Sequence, residues 1–264
     1  MPHLHQAILP IPAFSDNYIW MIRHGQSAVV VDPGQAEPVQ DALRAAGLSL
    51  VAILLTHHHN DHVGGVQALV DQWGCRVWGP AQERLPVCDV RVAQGDRVEL
   101  PDMGISLSVI DVPGHTAGHV AYAGSAGVEP SVLFSGDTLF AGGCGRLFEG
   151  TPAQMYDSFE KIFSLPLETS VFCGHEYTLA NLRWALAVDS DNAVLQEAFL
   201  RAQHLREQDL PTLPTTLGQE RSTNPFARTH HPAVAAAAAR WAGHALAAPV
   251  DVFGALREWK NNFK

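Results

Sequence analysis

The stretch Thr56-His57-His58-His59-Asn60-Asp61-His62-Val63-Gly64-Gly65 carries the strongest signal in this chain, and it directly follows the apolar run 51–55. Neutral imidazole and carboxylate groups are common ligands of divalent zinc, iron and manganese. In an extended segment, side chains alternate between two faces, so His57, His59 and Asp61 can face one pocket while His58 faces away. A helix that begins near Asp61 would turn His62 back to the same pocket. The stretch therefore predicts a metal site at the end of a buried strand.

Composition limits the classes of protein to which the chain can belong. The 264 residues carry 17 Lys and Arg against 27 Asp and Glu, so the net charge is 17 − 27 = −10. This acidic balance argues against a nucleic-acid partner and requires a local basic cluster for any anionic substrate. The four cysteines are scattered, which favours a reducing compartment. No signal-peptide pattern in residues 1–6 and no apolar run of about 20 residues is visible. We expect a cytoplasmic monomer with no membrane partner.

The pattern of short strands and helices changes along the chain. Up to about residue 175, short apolar strands recur with helices between them, such as the strand 51–55 and the helix 152–163. This α+β pattern predicts two sheets packed face to face with helices outside, and a single open parallel sheet is the alternative. Later segments, including 232–247 and 252–262, have helical periodicity. We therefore predict a metal-binding catalytic domain at 1–175 and a helical substrate-binding domain at 176–264.

Three further ligand-type residues follow predicted strands. His115 follows the strand 105–112, Asp137 follows the strand 132–134, and His175 follows a strand that ends at 173. Each is preceded by glycine, which suits a tight turn that directs a side chain into a cleft. One such turn alone is ordinary loop chemistry. In combination with the histidine-rich stretch, the three turns indicate a shared metal site.

The candidate ligand set contains more groups than one ion requires. It consists of His57, His59, Asp61, His62, His115, Asp137 and His175. One ion needs about four ligands, whereas two ions about 3.5–4 Å apart that share a carboxylate need about this many. Asp137 is the predicted bridging carboxylate. We expect His58 and His119 to lie outside the ligand set, His119 as a supporting or structural residue.

Several motifs resemble the metallo-β-lactamase superfamily: THHHNDHVGG at 56–65, PGHTAGH at 113–119, GDTLF at 136–140 and GHEYT at 174–178. The motifs GCGR at 143–146, FEGT at 148–151, GHEYT and the closing RxxK at 257–260 resemble its glyoxalase II (hydroxyacylglutathione hydrolase) branch. The resemblance implies a metallo-β-lactamase-type αββα sandwich with a smaller C-terminal helical domain, in agreement with the pattern of elements.

The resemblance also implies a ligand assignment and an activity. One ion would be held by His57, His59 and His115. The other would be held by Asp61, His62 and His175, with Asp137 between them. Two divalent ions are expected, zinc in the first instance, with iron or manganese as alternatives. Asp61 and Asp137 would act with a metal-bridging hydroxide, since coordination lowers the pKa of water from 15.7 to about 7. The implied reaction cleaves S-D-lactoylglutathione to glutathione and D-lactate, the second step of methylglyoxal detoxification.

The implied substrate is a small glutathione thioester, which is anionic. Arg257 and Lys260 are three positions apart in a helical stretch and therefore share a face. The resemblance implies that this pair binds the glycine carboxylate of glutathione together with Arg146 and Tyr177. Phe148 departs from the pattern, because many relatives have tyrosine there and its hydroxyl contact would be missing.

Other functions fit the sequence less well. A mononuclear-iron persulfide dioxygenase of the same superfamily is the nearest alternative, but such proteins lack a comparable helical C-terminal half. A lactonase or β-lactamase would not need the terminal basic pair. A non-catalytic metal-binding protein would not need ligands at several glycine-flanked strand ends. No Gly-x-Ser-x-Gly nucleophile motif is present, and we expect Cys144 and Cys173 to be packing residues.

Overall fold

The computed structural model describes residues 7–127 and 131–263. Residues 1–6, on which the predicted absence of a signal peptide depends, lie outside the described part. The chain divides into two compact units. The first unit consists of Met1–Asp111 and Thr116–Gly136, and the second of Val112–His115 and Asp137–Lys264.

The first unit begins with a mixed sheet of six strands. Its strands, in spatial order, are β1 (Ala7–Ala13), β2 (Asn17–His24), β3 (Ser27–Val31), β4 (Ser49–Leu54), β5 (Arg76–Pro80) and β6 (Val90–Val92). The helices between them are α1 (Ala36–Ala46), α2 (Asn60–Val63) and α3 (Val66–Trp73). The first three strands pair antiparallel and the last four pair parallel. Parallel neighbours need a crossover connection, which α1 provides between β3 and β4, and α2 and α3 provide between β4 and β5.

Apolar residues on both faces keep the middle of this sheet buried. Strand β3 is buried from Ala28 to Val31, as expected of a strand covered on both faces. Helix α1 directs Val39 and Leu43 into the core, and Gly47 ends it in the left-handed conformation with φ of 64°. Strand β4 ends in this buried region, and the histidine-rich stretch begins directly after it.

A second sheet in this unit is an antiparallel meander. Its strands within this unit are β7 (Arg97–Leu100), β8 (Ile105–Asp111), β9 (Val120–Ala126) and β10 (Val132–Gly136). Two contacts connect it to the end of β4. The Tyr122 hydroxyl donates to the Leu55 carbonyl at 2.7 Å, and the Val120 amide donates to the Thr56 carbonyl at 2.9 Å. The predicted two-sheet arrangement is thus confirmed, and the alternative of one open parallel sheet is wrong.

The second unit is mainly helical. It contains the hairpin β11 (Leu139–Phe140) and β12 (Gly143–Cys144), and the pair β13 (Ser170–Cys173) and β14 (Thr215–Thr216). Its helices are α4 (Pro152–Phe163), α5 (Thr178–Val188), α6 (Ala193–Glu207), α7 (Leu217–Thr223), α8 (Pro232–Ala242) and α9 (Pro249–Asn262). Aromatic rings of Phe159, Trp184, Phe226 and Phe253 pack in its core. Burial of such large rings stabilises a protein core.

Sequence periodicity placed most elements correctly but overextended one helix. The predicted helix 232–247 ends at Ala242, because Gly243 adopts φ of 77° and its amide donates to the Ala239 carbonyl. A left-handed residue at this position ends an α-helix even when alanines precede it. Strands β6, β11, β12 and β14 and helix α7 were not predicted, since segments this short have no readable period.

Candidate metal centre

The first unit brings together four predicted ligands at the end of β4. The His57 ring centroid lies 4.8 Å from that of His59 and 4.1 Å from that of His62. The Nε2 atom of His62 lies 3.5 Å from Oδ2 of Asp61. His59 is extended and α2 begins at Asn60, so the predicted turn that returns His62 to the cluster is present. The turn into α2 therefore places these four neighbouring side chains together at the end of β4.

Asp32, which was not among the predicted site residues, orients this cluster. Its carboxylate accepts hydrogen bonds from the Thr56 amide at 2.8 Å and the Thr56 hydroxyl at 2.6 Å. It also lies 3.0 Å from Nδ1 of His62, which is buried with it. Such a carboxylate fixes the ring and leaves Nε2 as the ligand atom. Asp32 has a φ of 53°, a left-handed conformation that aspartate adopts more readily than most residues.

Asp61 is held by two different neighbours. The Asn17 side-chain amide donates to Oδ2 of Asp61 at 3.1 Å. Gly34 lies against the backbone of Asp61 so closely that a Cβ at this position would be 1.8 Å from the Asp61 carbonyl oxygen. Only glycine permits this approach, which explains why residue 34 is a glycine.

The two histidines that were excluded from the ligand set also lie in the first unit. His58 contacts Glu83, whose other oxygen accepts from the Thr116 hydroxyl at 2.6 Å and the Gly118 amide at 3.0 Å. His119 is buried and stacks on His57 with centroids 4.6 Å apart. Glu83 is a second residue that sequence reasoning missed, because nothing in its local sequence distinguishes it.

The second unit brings together the other three predicted ligands. Oδ2 of Asp137 lies 3.4 Å from Nε2 of His115 and 3.3 Å from Nε2 of His175. All three side chains are buried. Nδ1 of His115 lies 2.8 Å from the Arg146 carbonyl oxygen. A carbonyl only accepts, so the ring proton lies on Nδ1 and the Nε2 lone pair is available to a metal.

Backbone packing fixes Asp137. A Cβ on Gly145 would be 1.8 Å from the Asp137 carbonyl oxygen, and the Gly145 amide donates to the Thr138 carbonyl at 3.1 Å. Gly145, the second glycine of the GCGR motif, is thus required where the chain packs closely against Asp137. Sequence alone indicated the motif but not this contact.

The donor atoms fit a metal ion in both units. An ion bound tetrahedrally at about 2.0–2.1 Å separates its ligand atoms by about 3.3 Å. The separations between ligand atoms are 3.5 Å in the first unit and 3.4 and 3.3 Å in the second. The His62 and His115 rings leave Nε2 available because Asp32 and the Arg146 carbonyl, respectively, contact Nδ1. This is the donor chemistry of a His and Asp site for a divalent cation.

Two aromatic side chains lie beside the ligands of the second unit. Phe148 packs edge-on to His115 at 5.3 Å, and Tyr177 stacks on His175 at 4.6 Å. Phe148 is 62% exposed and Tyr177 is 36% exposed, which is unusual for large rings. Both predicted substrate-binding positions therefore present an accessible ring next to a ligand.

The predicted basic pair lies on α9, but its two members differ. Arg257 is buried, lies over the Phe226 ring, and donates to the Cys144 carbonyl and to the Gly145 carbonyl at 3.4 Å. The Lys260 ammonium lies 5.4 Å from the Trp184 ring centroid. Burial, together with repulsion from Arg257, lowers the pKa of Lys260 to about 8. The side chain of Arg146, the third predicted cation, is exposed.

The thiols of the second unit are not activated. Burial raises the pKa of Cys144 to about 11 and that of Cys173 further above its ordinary range. Both thiols are therefore protonated at neutral pH, and since the thiolate is the reactive form, they are suited to packing.

Within residues 7–127 and 131–263, no helix combines the length and apolar character needed to cross a bilayer.

Comparison with known families divides the sequence into two matched segments. Residues 13–175 match the metallo-beta-lactamase superfamily. Residues 176–263 match the family described as hydroxyacylglutathione hydrolase C-terminus. The first match covers more than half of the chain.

Related proteins resemble the chain along nearly its whole length. A hydroxyacylglutathione hydrolase of Nitrosomonas europaea is 49% identical over 257 residues, which cover 97% of this chain and 96% of the relative. One from Alkalilimnicola ehrlichii is 54% identical, covering 96% of this chain and 98% of the relative.

Solved structures agree with the fold. ETHE1 from Myxococcus xanthus superposes with a TM-score of 0.61 at 25% identity, covering 84% of each chain. TTHA1623 in a di-iron-bound form gives 0.60 at 28% identity, covering 83% of this chain and 99% of the other. The predicted α+β fold class is confirmed. The extent of the sequence matches shows that this chain belongs to the hydroxyacylglutathione hydrolase family of the metallo-β-lactamase superfamily.

Proposed function

We propose that this protein is a metal-dependent thioesterase that hydrolyses S-(2-hydroxyacyl)glutathione, such as S-D-lactoylglutathione, to glutathione and a 2-hydroxy acid. Relatives about half identical to it are named for this reaction, and residues 176–263 match the C-terminal region of that family. The match favours hydrolysis over the persulfide dioxygenase alternative. The observation that carries the proposal is Asp137, whose Oδ2 lies within 3.4 Å of two histidine Nε2 atoms.

Two divalent ions complete the proposed site. His57, His59 and His115 would hold one ion, and Asp61, His62 and His175 would hold the other. Asp137 would be a ligand of both, and zinc is the proposed metal, with iron or manganese as alternatives. Support comes from the separations of 3.3–3.5 Å between donor atoms within each unit, which suit a common ion.

When bound, the two ions supply a water molecule that ionises near neutral pH and a positive field at the thioester carbonyl oxygen. The protein's own residues keep the donors in the correct form. Asp32 accepts the Nδ1 proton of His62, and the Arg146 carbonyl accepts that of His115. Asp61 and Asp137 compensate positive charge in the site. The leaving thiolate needs no proton donor, because a free thiol has a pKa of only about 8.5.

Positive charge in the second unit would select the anionic glutathione moiety. Lys260 and Arg146 supply accessible cations, while Arg257 adds charge and fixes the backbone at Cys144 and Gly145. Tyr177 offers a hydroxyl and an exposed ring. Phe148 offers only a ring, so this chain binds glutathione without a hydroxyl at that position.

We assign catalysis to residues 1–175 and substrate binding to residues 176–264, the division predicted from the sequence. The proposed setting is the cytoplasm, where the protein acts as a monomer on a small molecule without a nucleic-acid or membrane partner. The net charge of −10 supports this by repelling polyanions.

The direct test measures hydrolysis of S-D-lactoylglutathione before and after treatment with a chelator, with metal analysis of the same samples. We expect about two divalent ions per chain, loss of turnover on their removal, and recovery on addition of zinc. Equal hydrolysis after complete metal removal would overturn the metal mechanism. Oxygen uptake with glutathione persulfide, in place of thioester hydrolysis, would overturn the assigned reaction in favour of the dioxygenase.

A further inference from the structure

The hairpin formed by β11 and β12 is held by polar side chains from distant helices. The Gly142 amide donates to Oε2 of Glu220 at 2.8 Å. Asn224 donates to the Gly143 carbonyl at 2.9 Å, and Asn181 donates to the Ala141 carbonyl at 3.0 Å. These strands have two residues each and cannot hold their shape by their own ladder. Together with Arg257, which donates to the Cys144 carbonyl, these three side chains fix the backbone of the hairpin.

Glu220 is the centre of this arrangement. It is 1% exposed, and Oε2 also accepts from the Asn224 amide at 3.0 Å, while Oε1 accepts from the Thr215 hydroxyl at 2.8 Å. These partners are neutral, and burial raises the pKa of Glu220 to about 7. Burial of a carboxyl group costs free energy unless the group is hydrogen-bonded, so loss of any of these bonds is unfavourable. Helix α7, which carries it, is anchored by this residue to a hairpin 78 positions earlier in the chain.

The hairpin is continuous with residues of the proposed metal site. Asp137 precedes β11 by two positions, and Gly145, one residue after β12, packs against the Asp137 backbone. The next carbonyl, that of Arg146, accepts from His115. A displacement of the hairpin would therefore move both Asp137 and the support of His115.

We propose that Glu220, together with Asn224 and Asn181, is a positioning residue that fixes the hairpin β11–β12 and through it the carboxylate of Asp137. This proposal rests on the proposed function for the role of Asp137. A residue that acts in this way contributes by placing a ligand within a fraction of an ångström, and a misplacement of 1 Å can cost about 100-fold in rate.

The experiment compares two buried carboxylates in the full-length protein. Glu220→Ala removes the hairpin contact, and Glu220→Gln keeps an acceptor for Gly142 and Asn224 and a donor for Thr215. Asp189 is the matched control, because it is buried and bonded to Asn192 at 2.9 Å and Arg228 at 3.1 Å, away from the hairpin. Asp189→Ala removes a comparable buried network without touching the hairpin.

Hydrogen exchange of the peptide 138–146 and steady-state kinetics are the readouts. We expect Glu220→Ala to accelerate exchange about 10-fold and to lower kcat about 10-fold or more with a smaller change in KM. In Glu220→Gln, the exchange rate and kcat should both lie within about twofold of the unmodified protein. Asp189→Ala should leave the exchange rate and kcat unchanged, even if it lowers Tm as much as Glu220→Ala does.

Equal effects of Glu220→Ala and Asp189→Ala on kcat at equal loss of Tm would overturn the proposal. So would unchanged exchange in Glu220→Ala. If Glu220→Ala does not fold, Asn181→Ala applies the same test through its single bond to Ala141, with the same exchange criterion. Hydrogen exchange can be measured without turnover, so it tests the positioning role separately from the proposed function. Absence of thioester hydrolysis in the unmodified protein would overturn the proposed function, whereas normal exchange in the variants would overturn the positioning role.

Discussion

The two halves of the ligand set are built in opposite ways. The first unit supplies His57, His59, Asp61 and His62 from one stretch that follows a buried strand, so neighbouring residues in the chain become neighbours in space. The second unit supplies His115, Asp137 and His175 from three separate segments. The first half depends on local conformation, whereas the second depends on the packing that brings distant segments together. The two halves should therefore respond differently to substitution.

The supports of the two halves differ in the same sense. In the first unit, the Asp32 and Asn17 side chains bond directly to His62 and Asp61. In the second unit, the supports are backbone groups: the Arg146 carbonyl accepts from the His115 ring, and the Gly145 backbone packs closely against Asp137. Side-chain supports can be removed one at a time, while a backbone support fails with the segment that carries it.

The largest effect should follow from Asp137→Ala, which removes the carboxylate that both histidines of the second unit approach. We expect kcat to fall by about 10³-fold or more, equivalent to about 4 kcal/mol or more of lost transition-state stabilisation. Bound metal should fall below two ions per chain, measured by elemental analysis alongside thioester hydrolysis. Asp157→Ala, at an exposed position on α4, is the control. Full activity with full metal occupancy in Asp137→Ala would show that the bridging role is misassigned.

A smaller effect is expected from Asp32→Asn, which weakens a support of the first half and tolerates the left-handed backbone at this position. The loss of charge should weaken metal binding about 10- to 100-fold, as measured by competition with a chelator of known affinity. The control is Asp41→Asn, on the exposed surface of α1. An unchanged metal affinity would mean that the local stretch orients His62 without Asp32.

A still smaller effect is expected from the double substitution Arg257→Ala with Lys260→Ala. It should raise KM for a glutathione thioester about 10-fold while kcat changes less, because the pair acts on the binding of an anion. Lys260→Ala alone separates this effect from the contacts of Arg257 with the Cys144 and Gly145 carbonyls. Arg240→Ala, exposed on α8, is the matched loss of positive charge. An unchanged KM in the double variant would contradict glutathione recognition by this helix.

The smallest effect is a dependence on pH. The pKa of Lys260 is lowered to about 8, so its positive charge is present below that pH and lost as the pH rises through it. We expect kcat/KM to fall about fivefold between about pH 7 and pH 9, since this ratio reports groups of the free enzyme. Lys260→Arg should keep the binding and remove the decline, because arginine stays protonated. A decline of equal size in Lys260→Arg would assign it to another group.

The helices and strands show which features of the fold the sequence predicts and which it does not. The helix Pro152–Phe163 has the predicted bounds and the strand Ser170–Cys173 ends at the predicted residue, because each has a clear period and a clear stop. The hairpin β11–β12 and helix α7 were missed. Their residues bond to partners as many as 78–84 positions away, and no local pattern records such a partner.

The sequence by itself determined the fold class, the family resemblance and the identity of the candidate ligands, because ligand chemistry and hydrophobic period are properties of neighbouring residues. Only the tertiary structure decided which groups support them: Asp32 beside His62, the Arg146 carbonyl beside His115, and Glu220 beneath the hairpin. Each of these is a hydrogen bond between segments far apart in the chain. Their formation depends on the packing of whole strands and helices, which the local sequence does not encode.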